Sequence, residues 1–186
     1  MNVIDAIEMR RSIKRFTEVP VAPGDLERLL AAAVLAPNHR MTQPWRFLVL
    51  GPVARAEYGR VVADRKASRV AEEAAAEAVR RKVEEEYAAV PAMVAVAVRQ
   101  ADDAEVREED SAATFMAVEN LCLAAVELGL GTHLRTGAVL EDPRVRAALD
   151  VPAEERVVAM VQLGQPAEQP APRPRRPAAE LTRWLA

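Results

Sequence analysis

Arg10-Arg11-Ser12-Ile13-Lys14-Arg15-Phe16 and, further along, Ala36-Pro37-Asn38-His39-Arg40-Met41-Thr42-Gln43-Pro44-Trp45 are the two stretches on which the reading of this chain turns. The first places four cations and a hydroxyl within six residues, directly after a short apolar helix, so its donors can converge on phosphate oxygens through charge-assisted hydrogen bonds. The second is a polar loop between a helix and a strand. Read together they form a constellation suited to an anionic cofactor. Asn2 can cap the helix that carries Val3, Ile4, Ile7 and Met9 and delivers Arg10 to Ser12 at its C-terminal end. Helix C-termini are electronegative, so the arginines rather than the dipole must attract the anion.

Outward from these stretches the chain alternates helices with short strands. A helix over about Pro23 to Leu35 carries Leu26, Leu29, Leu30, Ala33 and Val34 on one face and is closed by Pro37. Arg46 to Leu50 reads as a buried strand ending at Gly51-Pro52. The region from Ala54 to Ala89 is rich in Ala, Glu, Arg and Val and reads as one or two exposed helices, either a solvated helical face or a mobile lid over a substrate site. Met93 to Val98 is a β-branched run typical of a strand covered on both faces. The best helix begins in the acidic stretch Glu105 to Asp110 and carries Ala113, Met116, Ala117, Leu121, Ala124 and Leu128; it is apolar over so much of its surface that it should be buried centrally. Thr132 to Gly137 is a short strand and loop, Pro143 to Leu149 a small helix, and Arg156 to Leu163 the last strand. The stretch from Gln165 to Pro177, rich in proline and arginine, reads as an extended arm in which Arg173 and Arg175 project to the same side. Its continuation carries Leu181, Trp184 and Leu185, side chains expected to dock on the chain's own core or on another subunit.

A length of 186 residues is most simply one domain over 1–186, with residues 54–89 as a helical excursion and 165–186 as a C-terminal arm. The net charge of -3 argues against general nucleic-acid binding, although a phosphate responds to the local cluster and not to the total. The lone Cys122 excludes an internal disulfide, and with two histidines a metal site would lean on carboxylates, so no metal is expected. No apolar run approaches the roughly 20 residues needed to span a bilayer, and the N-terminus lacks a signal-peptide core, so the chain reads as cytoplasmic. Neither a Walker loop nor a nucleophile elbow is present, and Gly129-Leu130-Gly131 follows a helix, the wrong context for a dinucleotide fingerprint.

Four segments in order resemble the nitroreductase family of FMN-binding flavoproteins: Arg-Arg-Ser-x-x-Arg at 10–15, Ala-Pro-Asn-His to Gln-Pro-Trp at 36–45, Gly-Leu-Gly-Thr at 129–132, and Leu-Gly-Gln-Pro followed by Arg-Pro-Arg-Arg-Pro. The loop containing His39 looks most like the small single-domain members. The resemblance implies an α+β three-layer sandwich around a mostly antiparallel sheet, folded as an intertwined homodimer with FMN at the subunit interface. It further implies that Arg10, Arg11 and Ser12 hold the phosphate and ribityl chain, and that Lys14 or Arg15 approaches the pyrimidine edge. Leu35, His39 and Gln43 would come from the partner subunit. Leu134, Arg135 and Thr136 would flank the ring, and Arg173 and Arg175 would complete the phosphate clamp. Leu121 to Val126 resembles a segment assigned to nicotinamide contact, with a buried apolar helix as its simpler reading. Larger relatives often carry Ser-x-x-Asn in the second loop, where this chain has Asn38 to Gln43.

The activity implied is hydride transfer from NAD(P)H through flavin N5 to an oxidised small-molecule acceptor such as a nitroaromatic, quinone or enone, in two half-reactions at one site. No protein group is named as the proton donor, because the cofactor carries the chemistry. The alternatives are specialised flavin chemistry on the same fold (dehalogenation, flavin fragmentation or ring oxidation) or a non-enzymatic interaction protein. Taken alone, the basic segment could be a solvated helix end, His39 a loop-stabilising residue, His133 structural, and Cys122 a small hydrophobe.

Overall fold

Val94, Val96 and Val98 face one side of a sheet and Met93, Ala95 and Ala97 the other, and all six are buried. This period-two alternation within one strand separates two hydrophobic cores. The chain is seen in a computed structural model that describes residues 1–185. The strands are β1 (Trp45–Val49), β2 (Ala92–Arg99), β3 (Gly131–Arg135) and β4 (Glu155–Gly164), in the order β1-β2-β4-β3 with every neighbour antiparallel. In β4 the register against β2 slips between Val96 and Ala97, leaving Val158 without a partner of its own. That bulge changes the phase of the strand: Val158, Ala159 and Val161 enter the first core, while Val157 and Met160 enter the second.

The first core lies under α2 (Pro23–Ala33) and α5 (Ala104–Glu127), which bring Leu29, Ala33, Ala117, Val118 and Leu121 onto the sheet. Asp103 caps α5 by accepting from the backbone N–H groups of Glu105 and Val106. Part of the surface of α5 is left open by its own chain. Phe115 and Met116 face outward, 40% and 43% exposed.

The second core corrects the expectation of exposed helices between Ala54 and Ala89. Helices α3 (Pro52–Ala67) and α4 (Glu73–Ala88), with the short α6 (Pro143–Ala148), cover the other face of the sheet and bury Tyr58, Val61, Val62, Val83, Tyr87 and Val145. Their charges lie on the outer side, where Arg80 reaches Asp64, Glu73 and Glu77.

The chain begins with α1 (Val3–Met9), capped reciprocally by Asn2 and Asp5. Its apolar residues Val3, Ile4, Ile7 and Met9 remain 48–69% exposed. At the other end α7 is a single turn (Ala178–Leu181), and Leu181, Trp184 and Leu185 project into solvent, Trp184 at 92%. The end of the arm therefore does not dock on the core of its own chain. Among the described residues no helix is long and apolar enough to cross a membrane.

Candidate functional site

Residues 10–16 leave α1 and run along the outer edge of β3. Ser12 bridges Thr132 in parallel, and the Ile13 N–H donates to the Thr132 carbonyl at 2.9 Å. Phe16 then bridges Pro166, and the Ala167 N–H donates to the Arg15 carbonyl at 3.0 Å, so the start of the C-terminal arm is laid against the basic segment. Gln169 reaches back to the Met9 carbonyl. These contacts bring Arg173 and Arg175 to the groove that already holds Arg10, Arg11 and Ser12. The sequence interval between the two halves of the clamp is thus closed by backbone pairing.

The groove has a volume of about 860 Å³. Arg10 is weakly engaged, its Nε 3.6 Å from Glu119, and the neighbouring Arg15, outside this groove, has its Nε 3.8 Å from Glu168, both long for ion pairs. Arg11 is held differently. Its Nη1 donates to the carbonyls of Glu8 and Arg10, satisfying the C-terminal end of α1, while its Nε is buried and has no partner. Because an unmade hydrogen bond at a buried charged group is costly, that nitrogen marks a place prepared for an acceptor. The donor set is what a phosphate needs.

A second cavity of about 860 Å³ adjoins the first and shares Lys14 and His133 in its wall. It is lined by Arg15, Leu134, Arg135, Thr136 and Gln162, with Phe16 and Tyr87 as its aromatic surfaces. Of the residues named from sequence, the structure therefore gathers Arg10, Arg11, Ser12, Lys14, Arg173 and Arg175 in one cavity. It gathers Lys14, Arg15, Leu134, Arg135 and Thr136 in the next.

Leu35, His39 and Gln43 line neither cavity. Leu35 is 79% exposed beyond the end of α2. His39 Nδ1 sits 2.9 Å from both Glu109 carboxylate oxygens, and the Gln43 N–H donates to Asn38 Oδ1 at 2.9 Å. Thr42 Oγ1 donates to the buried Asp110 at 2.6 Å, so consecutive acidic residues of α5 fasten this loop at two points. Within it Arg40, Met41 and Gln43 all adopt positive φ, between 44° and 56°. Leu121, Cys122 and Ala125 are buried within α5, as the simpler reading of that segment had it.

Sequence reasoning missed His133 as a wall residue, together with Gln162 and Tyr87. His133 Nδ1 is 3.0 Å from Gln162 Oε1, an arrangement in which Nδ1 carries the proton and Nε2 is free to accept. Burial holds its pKa below the usual histidine range, and the nearby Arg135 and Lys14 push the same way, against the Gln162 hydrogen bond. The imidazole is therefore a neutral group between two cations. A β3 side chain of period two with Arg135 was the one available signal for it.

The residues present fit a long ligand with a phosphate at one end and a polar ring system at the other. The description that matches this chain is the nitroreductase family, over residues 7–165. A relative from Bacillus subtilis, "Putative NAD(P)H nitroreductase YfhC", is 31% identical over 93% of this chain and 89% of its own. The nitroreductase-like family protein from Bacillus cereus superposes with a TM-score of 0.87 at 24% identity, covering 100% of this chain and 96% of its own. The "putative nitroreductase in complex with FMN" from Desulfovibrio desulfuricans superposes with a TM-score of 0.76 at 26% identity, covering 100% and 98%.

Proposed function

The chain belongs to the nitroreductase family, and from that premise we propose that it is an FMN-dependent oxidoreductase that takes hydride from NAD(P)H and reduces a small oxidised acceptor such as a nitroaromatic, quinone or enone. The observation that carries this reading is the convergence of Arg10, Arg11, Ser12, Arg173 and Arg175 on one groove, with the Arg11 Nε buried and unpartnered. These residues would hold the phosphate and the ribityl chain. Lys14, Arg15, Leu134, Arg135 and Thr136, around the adjoining cavity, would hold the ring system. The chemistry that FMN supplies when bound is hydride transfer, from NAD(P)H in one half-reaction and to the acceptor in the next, at one site.

The same reading makes the protein a homodimer with a cofactor at each interface. Val3, Ile4, Ile7 and Met9 of α1, Val34 and Leu35 after α2, and Phe115 and Met116 of α5 are exposed apolar side chains, more than a stable monomer ordinarily leaves uncovered on its helices. In that arrangement Leu35, His39 and Gln43 border the cavities of the other copy, which accounts for their distance from the cavities of their own chain.

The test is the visible absorption spectrum of protein incubated with excess FMN and freed of unbound flavin. Wild type is expected to retain flavin bands. Because one hydrogen bond to a charged group is worth about 1.5–3 kcal/mol, the Arg10→Ala/Ser12→Ala double variant should bind FMN at least roughly tenfold more weakly. A colourless wild type would sink the cofactor assignment, and full retention by the double variant would sink the site.

A further inference from the structure

Tyr87 belongs at once to the second core and to the wall of the cavity at the end of β3. Its ring meets that of the fully buried Tyr58 edge-on, with centroids 5.4 Å apart and planes inclined by 71°. On its other side the Arg135 guanidinium carbon lies 5.7 Å from the Tyr87 ring centroid. Helix α3 presses on the same side chain: a Cβ on Gly59 would stand 2.8 Å from Tyr87 Cβ. The Tyr58 and Tyr87 hydroxyls are both buried and have no partner beyond each other, so packing within the pair orients the rings. Among the described residues no carboxylate lies within ion-pair distance of Arg135. The aromatic face is what fixes this cation at the cavity.

We propose that Tyr87 is a positioning residue, whose ring, locked by Tyr58 and Gly59, holds the Arg135 guanidinium as a fixed positive charge in the ring cavity and so favours the reduced form of the bound cofactor. This rests on the assignment of FMN to the two cavities. Uptake of a hydride adds one negative charge to the flavin ring, and a fixed cation in a partly desolvated cavity binds the more negative form more tightly. A cation over an aromatic face is attracted by the ring quadrupole, the more strongly the less it is solvated. Without the ring, Arg135 is free to turn toward water and the charge is screened.

The experiment measures the two-electron midpoint potential of bound FMN, together with the dissociation constant of oxidised FMN, in wild type, Tyr87→Leu, Tyr87→Phe and Arg135→Gln. Arg135→Gln and Tyr87→Leu should each lower the preference for reduced over oxidised FMN about tenfold, read as a potential about 30 mV more negative. Tyr87→Phe keeps the ring and drops a hydroxyl whose one polar neighbour is that of Tyr58, so it should keep the wild-type potential. The Tyr87→Leu/Arg135→Gln double variant should fall no further than Arg135→Gln alone. Wild-type potentials in Arg135→Gln or Tyr87→Leu would overturn the proposal, as would a fall in Tyr87→Phe equal to that in Tyr87→Leu. Should Tyr87→Leu fail to fold, Arg135→Gln, on the cavity surface, and Tyr87→Phe decide the matter. A wild type that takes up no FMN would overturn the cofactor assignment and this inference with it, whereas flavin uptake with unmoved potentials overturns the inference alone.

Discussion

Gly131→Ala should separate the basic segment from the sheet. Gly131 opens β3 at the point where Ile13 crosses it, and a methyl group there would stand 2.5 Å from Ile13 Cγ1, 2.8 Å from Ile13 Cβ and 3.0 Å from Pro166 Cγ. Carbon atoms in ordinary contact sit about 3.5–4.0 Å apart, so strand and segment must part by about 1 Å. Ile13 is only 2% exposed and has nowhere to swing. The first bond to lengthen is that from the Ile13 N–H to the Thr132 carbonyl, now 2.9 Å. Overpacking of this kind costs about 1–3 kcal/mol, which for a chain of this size lowers the melting temperature by roughly 2–12 °C. The shift also carries Arg11 and Ser12 away from Arg173 and Arg175, so FMN affinity should fall about tenfold, the effect of one charge-assisted contact. Thermal melts followed by circular dichroism and FMN titrations followed by flavin fluorescence read the two effects. Ile13→Ala alone should cost about 2–5 kcal/mol, but it removes the closest clashing atom, so the double variant should be more stable than the sum of the singles by about 1 kcal/mol. A Gly131→Ala protein with wild-type melting and affinity, or strict additivity with Ile13→Ala, would refute the claim that this close approach holds the clamp.

Two further outcomes are expected. Burial keeps the folded-state pKa of His133 below the unfolded value of about 6.5, so the unfolded chain binds the extra proton: the full contribution to stability is present above that value and is lost as the pH falls through the window down to the folded pKa. Melting temperature should therefore drop below about pH 6.5 in wild type and drop less in His133→Gln; parallel pH profiles would show that His133 is not the group responsible. In sedimentation equilibrium the wild type should have the mass of a dimer, and Ile4→Glu, which places a charge on the open apolar face of α1, should shift it toward monomer; a monomeric wild type would remove the interface from the reading.

The strands and α5 were legible because their signal is local. Met93 to Val98 is β-branched, alternates and is bounded by Pro91, and nothing in its neighbourhood competes with a strand. The basic segment was legible only beside the other three motifs, since four cations in six residues could by themselves be a solvated helix end. The second core was not. Helices α3 and α4 bury Gly59, Ala63, Ala67 and Ala76 beside two tyrosines and three valines, and small residues that permit close approach carry little hydrophobic signal of their own. Gly59 is informative only once Tyr87 is known to lie against it. The bulge at Val158 is equally invisible, because it is a relation between β2 and β4 and not a property of either. His133 was passed over since a lone histidine on a strand is usually structural, and only the cavities on both sides of it give it a different weight.

The loop from Asn38 to Gln43 resists a reading from one chain altogether. Three non-glycine residues in left-handed conformations are individually unfavourable, by about 1 kcal/mol or more each, and none is a type that a sequence marks as a turn former at positive φ. They persist because Asn38 accepts from the Gln43 N–H and α5 supplies Glu109 to His39 and Asp110 to Thr42. Strain that is held in place so thoroughly needs a use, and neither cavity of the same chain supplies one, since His39 and Gln43 line neither. Met41 on this loop is 70% exposed and Leu35 just before it 79%, and Phe115 and Met116 of α5 are also open. An energetically unfavourable loop that presents polar groups within an apolar surface is what a second copy would require in order to close its own cofactor site. In the proposed dimer the motif split at residues 10–16 and 36–45 would be a single site divided between two chains, its two halves close in sequence and apart in this fold.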